Sequence, residues 1–375
     1  MKIKVGKLNS PYAARRKAAF AAATRSAGRE IGALLVGGVE DVGYLSGFTG
    51  DDSFLLVEVG GATLLTDGRY GEQAAWECPG VEIHVRKGPM AAAIVELVKA
   101  RKIRSLALQA EHLTLRWKDA IAKALPSLKL LHVSDVPGLG RQVKDPDEIA
   151  AIRRAVKIAQ EGFLALMARG RSAFIGRTER QVAAELDYRM RLAGADKSAF
   201  DTIVAVGPHG SLPHYRPGDT VIREGQMVLV DWGALASGYC SDLTRVVLTG
   251  TIPPKLGEVY EVVRRAQISG MAAVRAGAAA KTVDSAARSV IDKAGYKLQF
   301  VHGLGHGIGR QIHEMPSMNH TSSARLKRGM VITVEPGIYL PGVGGVRIED
   351  DVLVGPKGPV KLSSLPTGMA AMTLR

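Results

Sequence analysis

The sequence predicts an α/β protein of two domains. Three observations carry that reading. A chain of 375 residues is long for one domain; strand-like and helix-like segments alternate over its first third; and after residue 200 the texture turns to short strands punctuated by glycine and proline. Hydrophobic residues make up 46% and charged residues 23%, so a soluble chain with at least one full core is expected.

In order, residues 12–33 read as an amphipathic helix, and Ala33 to Val36 as a short buried strand. Residues 53–59 and 62–66 are β-rich and join at Gly60-Gly61, which reads as a hairpin. A strand at 81–86, a helix at 90–101 and a strand at 105–108 complete an α/β domain ending near Gly138 or Gly140. Lys144-Asp145-Pro146-Asp147-Glu148 then opens a new helix, because Asp145 can cap it, Pro146 suits its first turn and acids favour its positive end. Ile149, Ile152, Ala155 and Ile158 carry it to about Met167.

Composition excludes several function classes. The net charge is +14, yet Lys and Arg are interspersed with Asp and Glu, and aromatics are only 5%, so nucleic-acid binding is not expected. No run approaches the ~18 apolar residues of a membrane span. Arg15-Arg16-Lys17 precede an alanine-rich stretch broken by Arg25 and Arg29, which reads as the first helix rather than a leader. Cys78 and Cys240 lie far apart and read as buried thiols in a reducing compartment, so a cytoplasmic location is expected.

The chemistry is concentrated in four acids. Val228-Leu229-Val230 leads into Asp231, and a hairpin folded about Ala236 and Ser237 sets Asp231 opposite Asp242, with Cβ atoms roughly 5 Å apart. Two such charges at the end of an apolar strand repel and are costly to bury, and a divalent cation between them removes the problem. Glu335 likewise ends an apolar strand, and a second hairpin with its loop at 341–345 can bring it to Glu349. Arg347 shares a face with Glu349 by strand alternation and can orient a metal-bound carboxylate from behind. GQMVLVD at 225–231 and GMVITVE at 329–335 form a faint internal echo, each a strand ending in an acid.

Three histidines, His302, His306 and His313, fall in the glycine-rich segment VHGLGHGIGRQIHEMP. The glycines do not complete a dinucleotide-binding fingerprint, and His313-Glu314 lacks the following histidine of a zinc-helix motif. One imidazole among four carboxylates is left as the natural arrangement. His214, in Leu212-Pro213-His214-Tyr215, is a further candidate, whereas His84, His112, His132, His209 and His320 read as structural.

The segments LPHY (212–215), VLVDWGA (228–234), SDLTR (241–245), HGLGHGIG (302–309), HEMP (313–316), VEPGIY (334–339) and VRIED (346–350) together resemble the pita-bread metallopeptidases, in the branch of aminopeptidase P and prolidase. YLSGFTG (44–50) and LLTDGRYGEQA (64–74) resemble the creatinase-type N-terminal domain of the same proteins. The resemblance implies a creatinase-type domain over residues 1–140 and a pita-bread catalytic domain over 141–375, the latter a curved antiparallel sheet with helices. It implies that Asp231, Asp242, His306, Glu335 and Glu349 bind two divalent ions, with Asp242 and Glu349 bridging. Mn²⁺ is the expected metal, and Co²⁺ or Zn²⁺ can substitute. It also implies that Glu335 handles the proton, that His214 and His313 contact the substrate carbonyl, and that His302 lines the pocket.

The activity implied is hydrolysis of the Xaa-Pro bond at a peptide N-terminus, by a homodimer that binds neither nucleic acid nor membrane. An Xaa-Pro dipeptidase (prolidase) is the alternative, and a non-catalytic binding module a further one. A metal-free creatinase conflicts with the complete set of acids, and methionine aminopeptidase with the long N-terminal domain. Asp41 and Gly43 stand where the branch has Asn and Arg, which removes support for a substrate contact from the N-terminal domain.

Overall fold

The structure is a computed structural model and describes residues 11–374. It divides into two units, 1–141 and 142–375. In the first, helix α1 (Pro11–Ala27) ends earlier than the sequence predicts, at Gly28, whose φ of +64° stops a right-handed helix. Strand β1 (Ala33–Val36) follows, then α2 (Val39–Ser46), the hairpin β2 (Phe54–Glu58) and β3 (Gly61–Thr66), α3 (Gly71–Glu77), β4 (Glu82–Val85), α4 (Met90–Ala100), β5 (Ser105–Gln109), α5 (Leu115–Ala124), β6 (Lys129–Val133) and α6 (Val136–Arg141).

The six strands form one sheet in the order β4-β3-β2-β1-β5-β6, with β1, β5 and β6 parallel and β2 antiparallel to its neighbours. Alternation divides its apolar residues between two layers. Leu34, Val36, Leu55 and Leu64 pack with α1, α2 and α6, while Leu35, Leu56, Leu106 and Leu108 pack with α4 and α5. Asp41 is buried within this unit, accepting from Gln109 Nε2 at 2.5 Å with Arg141 Nη1 2.9 Å away. It is thus a partner inside its own domain.

The second unit opens with α7 (Pro146–Met167). Asp145 accepts from Glu148 N while Glu148 returns a bond to the Asp145 amide, a reciprocal cap with proline in the first turn. Helix α8 (Glu179–Leu192) has the same cap from Thr178 and Gln181. Then come β7 (Lys197–Ser198), β8 (Ile203–Val206), β9 (Met227–Trp232), β10 (Ala234–Ala236), β11 (Tyr239–Cys240) and β12 (Leu243–Leu248). Here the expectation of short strands alone fails: α9 (Pro254–Ala273) and α10 (Ala280–Lys293) follow, packed on each other. Their apolar stripe, including Leu256, Val259, Tyr260, Val263, Val283, Ala287 and Ile291, has helical spacing and joins the core.

The chain ends with β13 (Gly305–Gly307), β14 (Glu314–Met318), β15 (Val331–Val334), β16 (Gly337–Leu340), β17 (Gly344–Arg347), β18 (Asp350–Gly355), β19 (Gly358–Lys361) and the short α11 (Met369–Met372). Among the described residues this unit has four antiparallel sheets, the small β11-β10-β7 and β16-β17 and the larger β12-β9-β8 and β14-β13-β15-β18-β19, and a bridge between Thr244 and Glu349 links the last two. The internal echo of the sequence is therefore spatial: β9 and β15 each sit inside one of these sheets, and each starts beyond a positive-φ glycine, Gly225 or Gly329. The four long helices pack behind the strands. Phe163 stacks on Trp232 with ring centroids 4.4 Å apart, and the indole donates to the Ala159 carbonyl at 2.9 Å.

Candidate active site

Strand register sets the acids. The first hairpin turns at Ser237-Gly238, one residue later than the sequence reading placed it, because both residues take positive φ (53° and 75°) and match the twist of the flanking strands. The correction follows directly: Asp231 pairs with Thr244, not with Asp242. Asp242 stands two residues from Thr244, diagonally across from Asp231 and on the same face. In the second hairpin, Val334 pairs with Asp350 and Gly337 with Arg347, so one register runs through the gap at Pro336 and sets Glu335 across from Glu349. Pro336 cannot donate to a ladder, and the carboxylates occupy the interruption.

All nine residues expected at the site line one cleft of about 670 Å³: Asp231, Asp242, His306, Glu335 and Glu349, together with His214, His302, His313 and Arg347. Ligand atoms of Asp242, His306 and Glu349 lie within 4.8 Å of one another. His306 Nε2 is 3.6 Å from Asp242 Oδ2 and 3.4 Å from Glu335 Oε1. Its Nδ1 bonds the Gly307 carbonyl at 3.0 Å, which assigns the proton there and leaves Nε2 as a lone pair facing carboxylate oxygens. The strand carrying His306 presses close to its neighbour: a Cβ on Gly305 would lie 2.3 Å from the Thr333 carbonyl.

Burial first, then the charges of Glu349, Asp231 and Glu335, push the Asp242 carboxyl well above the ordinary carboxylate range. Burial and the charges of Glu335 and Asp231 do the same to Glu349. Glu335 rises through burial, opposed by His302 and Arg347. Burial lowers His302, His306 and His313, keeping the imidazoles neutral. Asp231 Oδ1 and Glu349 Oε1 are buried and have no hydrogen-bond partner. Repelling acids, orphaned buried oxygens and a bare imidazole lone pair, with Asp242, His306 and Glu349 converging, are a donor set suited to a hard divalent cation. The residues fit one.

Around them is a shell that the sequence reading missed except for Arg347. Arg347 is buried and donates to Asp231 Oδ2, to Tyr339 OH at 2.8 Å and to Thr244 Oγ1 at 3.2 Å. Although burial works against the charge, Tyr339, Asp231 and Glu335 hold the guanidinium well above its ordinary value. Thr244 Oγ1 donates to Glu349 Oε2 at 2.6 Å, Thr333 Oγ1 to Glu335 Oε1 at 3.1 Å, and the Asp242 amide to Asp351 Oδ2 at 2.9 Å. His302 Nε2 meets Tyr339 OH at 2.8 Å, and burial pushes that phenol up to about 12. Thr244 and Asp351 carried a signal: each stands two residues from an expected ligand, hence on its face of the strand. His313 and His214 are exposed toward the cleft, with the His313 ring edge-on to His306 at 4.4 Å.

The model of metallopeptidase family M24 matches residues 150–356, and the creatinase/prolidase N-terminal domain matches 16–143. The chain belongs to metallopeptidase family M24. A Xaa-Pro dipeptidase of Pyrococcus furiosus is 37% identical over 311 residues, 81% of this chain and 88% of that one. Among solved structures, a Xaa-Pro dipeptidase from Bacillus anthracis superposes with a TM-score of 0.90 at 34% identity, covering 97% of this chain and 99% of that one. An X-Pro aminopeptidase from Thermotoga maritima gives 0.84 at 37%, covering 90% and 97%. This M24 protein is a peptidase with a creatinase-like N-terminal domain and a pita-bread C-terminal domain, and its family implies divalent metal ions. Among the described residues, no helix is long and apolar enough to cross a membrane.

Proposed function

We propose that this peptidase hydrolyses the bond between an N-terminal residue and a following proline, with two divalent ions held by Asp231, Asp242, His306, Glu335 and Glu349. The observation that carries the reading is the convergence of Asp242, His306 and Glu349 within 4.8 Å, beside buried oxygens that no protein donor satisfies. Asp242 and Glu349 would serve both ions, Asp231 one, and His306 with Glu335 the other. Mn²⁺ suits four oxygen donors and one nitrogen, with Co²⁺ or Zn²⁺ as substitutes. Bound there, the ions supply an acidified water and a Lewis acid for the peptide carbonyl.

The chain's own groups do the rest. Glu335 is partly exposed to the cleft and holds a proton more readily than an ordinary carboxylate, which suits it to take one from water and pass it to the leaving imino nitrogen. His214 and His313 face the cleft as donors for the carbonyl oxygen as charge develops there, each contributing on the order of 3–4 kcal/mol. His302 lines the pocket as a neutral imidazole fixed by Tyr339. Arg347 orients Asp231.

Substrate length separates two readings, an Xaa-Pro aminopeptidase and an Xaa-Pro dipeptidase. The second is at least as well supported, since relatives carry both names. Turnover of an Xaa-Pro dipeptide compared with an Xaa-Pro-Yaa tripeptide, alongside metal analysis, tests both. A protein that binds no divalent ion and cleaves neither peptide is not the enzyme proposed. A homodimer in the cytoplasm is the expected setting, and buried cysteines at 78 and 240 that are not joined in a disulfide support a reducing compartment.

A further inference from the structure

Resting on the reading of His214 as a substrate-facing donor, we propose that Glu179, the first residue of α8, is the positioning residue that aims His214. Its side chain is completely buried and its two oxygens collect four hydrogen bonds. Oε1 accepts from the Val206 amide at 2.8 Å and from His209 Nδ1 at 2.9 Å. Oε2 accepts from Tyr215 OH at 2.8 Å and from the Gly218 amide at 3.1 Å.

All four donors belong to the segment that leaves β8 and passes through His214 on its way to β9. One carboxylate therefore ties the segment before His214 at two points and after it at two more. The His209 and Tyr215 rings are stacked, centroids 4.4 Å apart and 22° between planes, which closes the clamp across the histidine. Burial and the neighbouring Glu179 raise the Tyr215 phenol to about 12, so it stays a donor throughout the working range.

A buried acid is tolerated only when its oxygens are satisfied, and four donors fill the lone-pair sites of a carboxylate. The start of a helix favours the same charge. None of these bonds involves a proposed metal ligand. On the other side Arg347 Nη1 donates to the Pro213 carbonyl at 3.4 Å, so the backbone beside His214 is held from both the core and the site. The clamp fixes the His214 backbone and leaves its ring exposed, the arrangement required of a group that must reach a reacting carbonyl without searching for it.

The test is a double-mutant cycle on the metal-loaded enzyme with an Xaa-Pro peptide. Glu179→Gln keeps the shape and presents an amide where Gly218 N and Tyr215 OH need an acceptor. It is expected to lower kcat about 10- to 100-fold, the cost of displacing a reacting group by around an ångström, with KM and metal affinity little changed. In the His214→Ala background the same substitution should add less than about twofold, because its effect runs through the missing ring. Equal losses in both backgrounds, or a folded Glu179→Gln enzyme with full kcat, overturn the assignment. If Glu179→Gln does not fold, Tyr215→Phe removes one donor and keeps the stack, and the same two comparisons decide. A His214→Ala enzyme with undiminished turnover overturns the reading of His214 itself, and is distinguishable from failure at Glu179 alone.

Discussion

Thr244→Val isolates a single hydroxyl behind a single proposed ligand. Thr244 is fully buried, and valine has its shape, so no cavity forms and the β12 pairing is preserved. What disappears is the 2.6 Å donation to Glu349 Oε2 and the 3.2 Å acceptance from Arg347 Nε. A hydrogen bond to a charged group contributes about 1.5–3 kcal/mol. If the bond to Glu349 serves to aim its carboxylate, that energy appears in metal binding as roughly a 10- to 150-fold loss of affinity. Loss of an outer partner of a metal ligand typically costs about 10–100-fold, an independent route to the same range. Calorimetric titration of the metal-stripped protein with Mn²⁺ measures the affinity, and kcat at saturating metal should recover most of its value. An affinity within about twofold of the parent would refute the reasoning, because a loss of ~1.5 kcal/mol cannot hide in that margin.

Asp242→Ala and Glu349→Ala should each abolish turnover and lower the bound metal, read by elemental analysis; full metal content in either variant contradicts its role. Removing metal should also make stability depend on pH. Asp242 and Glu349 hold protons in the fold that they release on unfolding, so the stripped protein loses stability as pH rises from the ordinary carboxylate range through their raised folded values, by about 1.4 kcal/mol per pH unit for each proton retained. The lowered histidines act in the opposite sense, adding stability with rising pH only up to the ordinary imidazole value. Melting curves with chelator should therefore drop on the alkaline side and flatten when metal is restored; a stripped protein that gains stability steadily across that range is incompatible with this account. Lys144 and Glu314 form a buried 3.0 Å ion pair, and Glu314 also accepts from the Arg310 and Gln311 amides in the loop that presents His313. Lys144→Met removes the cation from beside that buried carboxylate and should cost about 3 kcal/mol in denaturant unfolding, with kcat falling alongside.

How much of this was legible depends on what set each feature. Apolar strands that end in acids announced themselves at Asp231 and Glu335, since such a pattern has few reasons to exist without a cation. The position of the first turn was within reach as well: Ser237-Gly238 is a turn dipeptide, and a fold centred there pairs Asp231 with Thr244. Helix α2 was hidden because Val39–Ser46 contains Gly43 and has no side-chain cap at its start, so tertiary burial rather than propensity holds it. Helices α9 and α10 had the spacing but lacked side-chain caps, and the glycine-rich strands around them dominated the reading. Thr333, two residues from Glu335, carried the same signal as Thr244 and Asp351, whereas Tyr339 and Glu179 could not be found from sequence, because each acts on a segment more than thirty residues away.

The unbroken register through the gap at Pro336 has a mechanical consequence. Ladders on either side splint the two acids, so the spacing between Glu335 and Glu349 does not depend on the tip at residues 341–343. Length changes at that tip can be absorbed there, whereas a single residue added between Val334 and Gly337 would put one ladder out of step with the other and turn a carboxylate away from its neighbour. Variation in the chain should be tolerated at the far end of this arm and refused at its elbow.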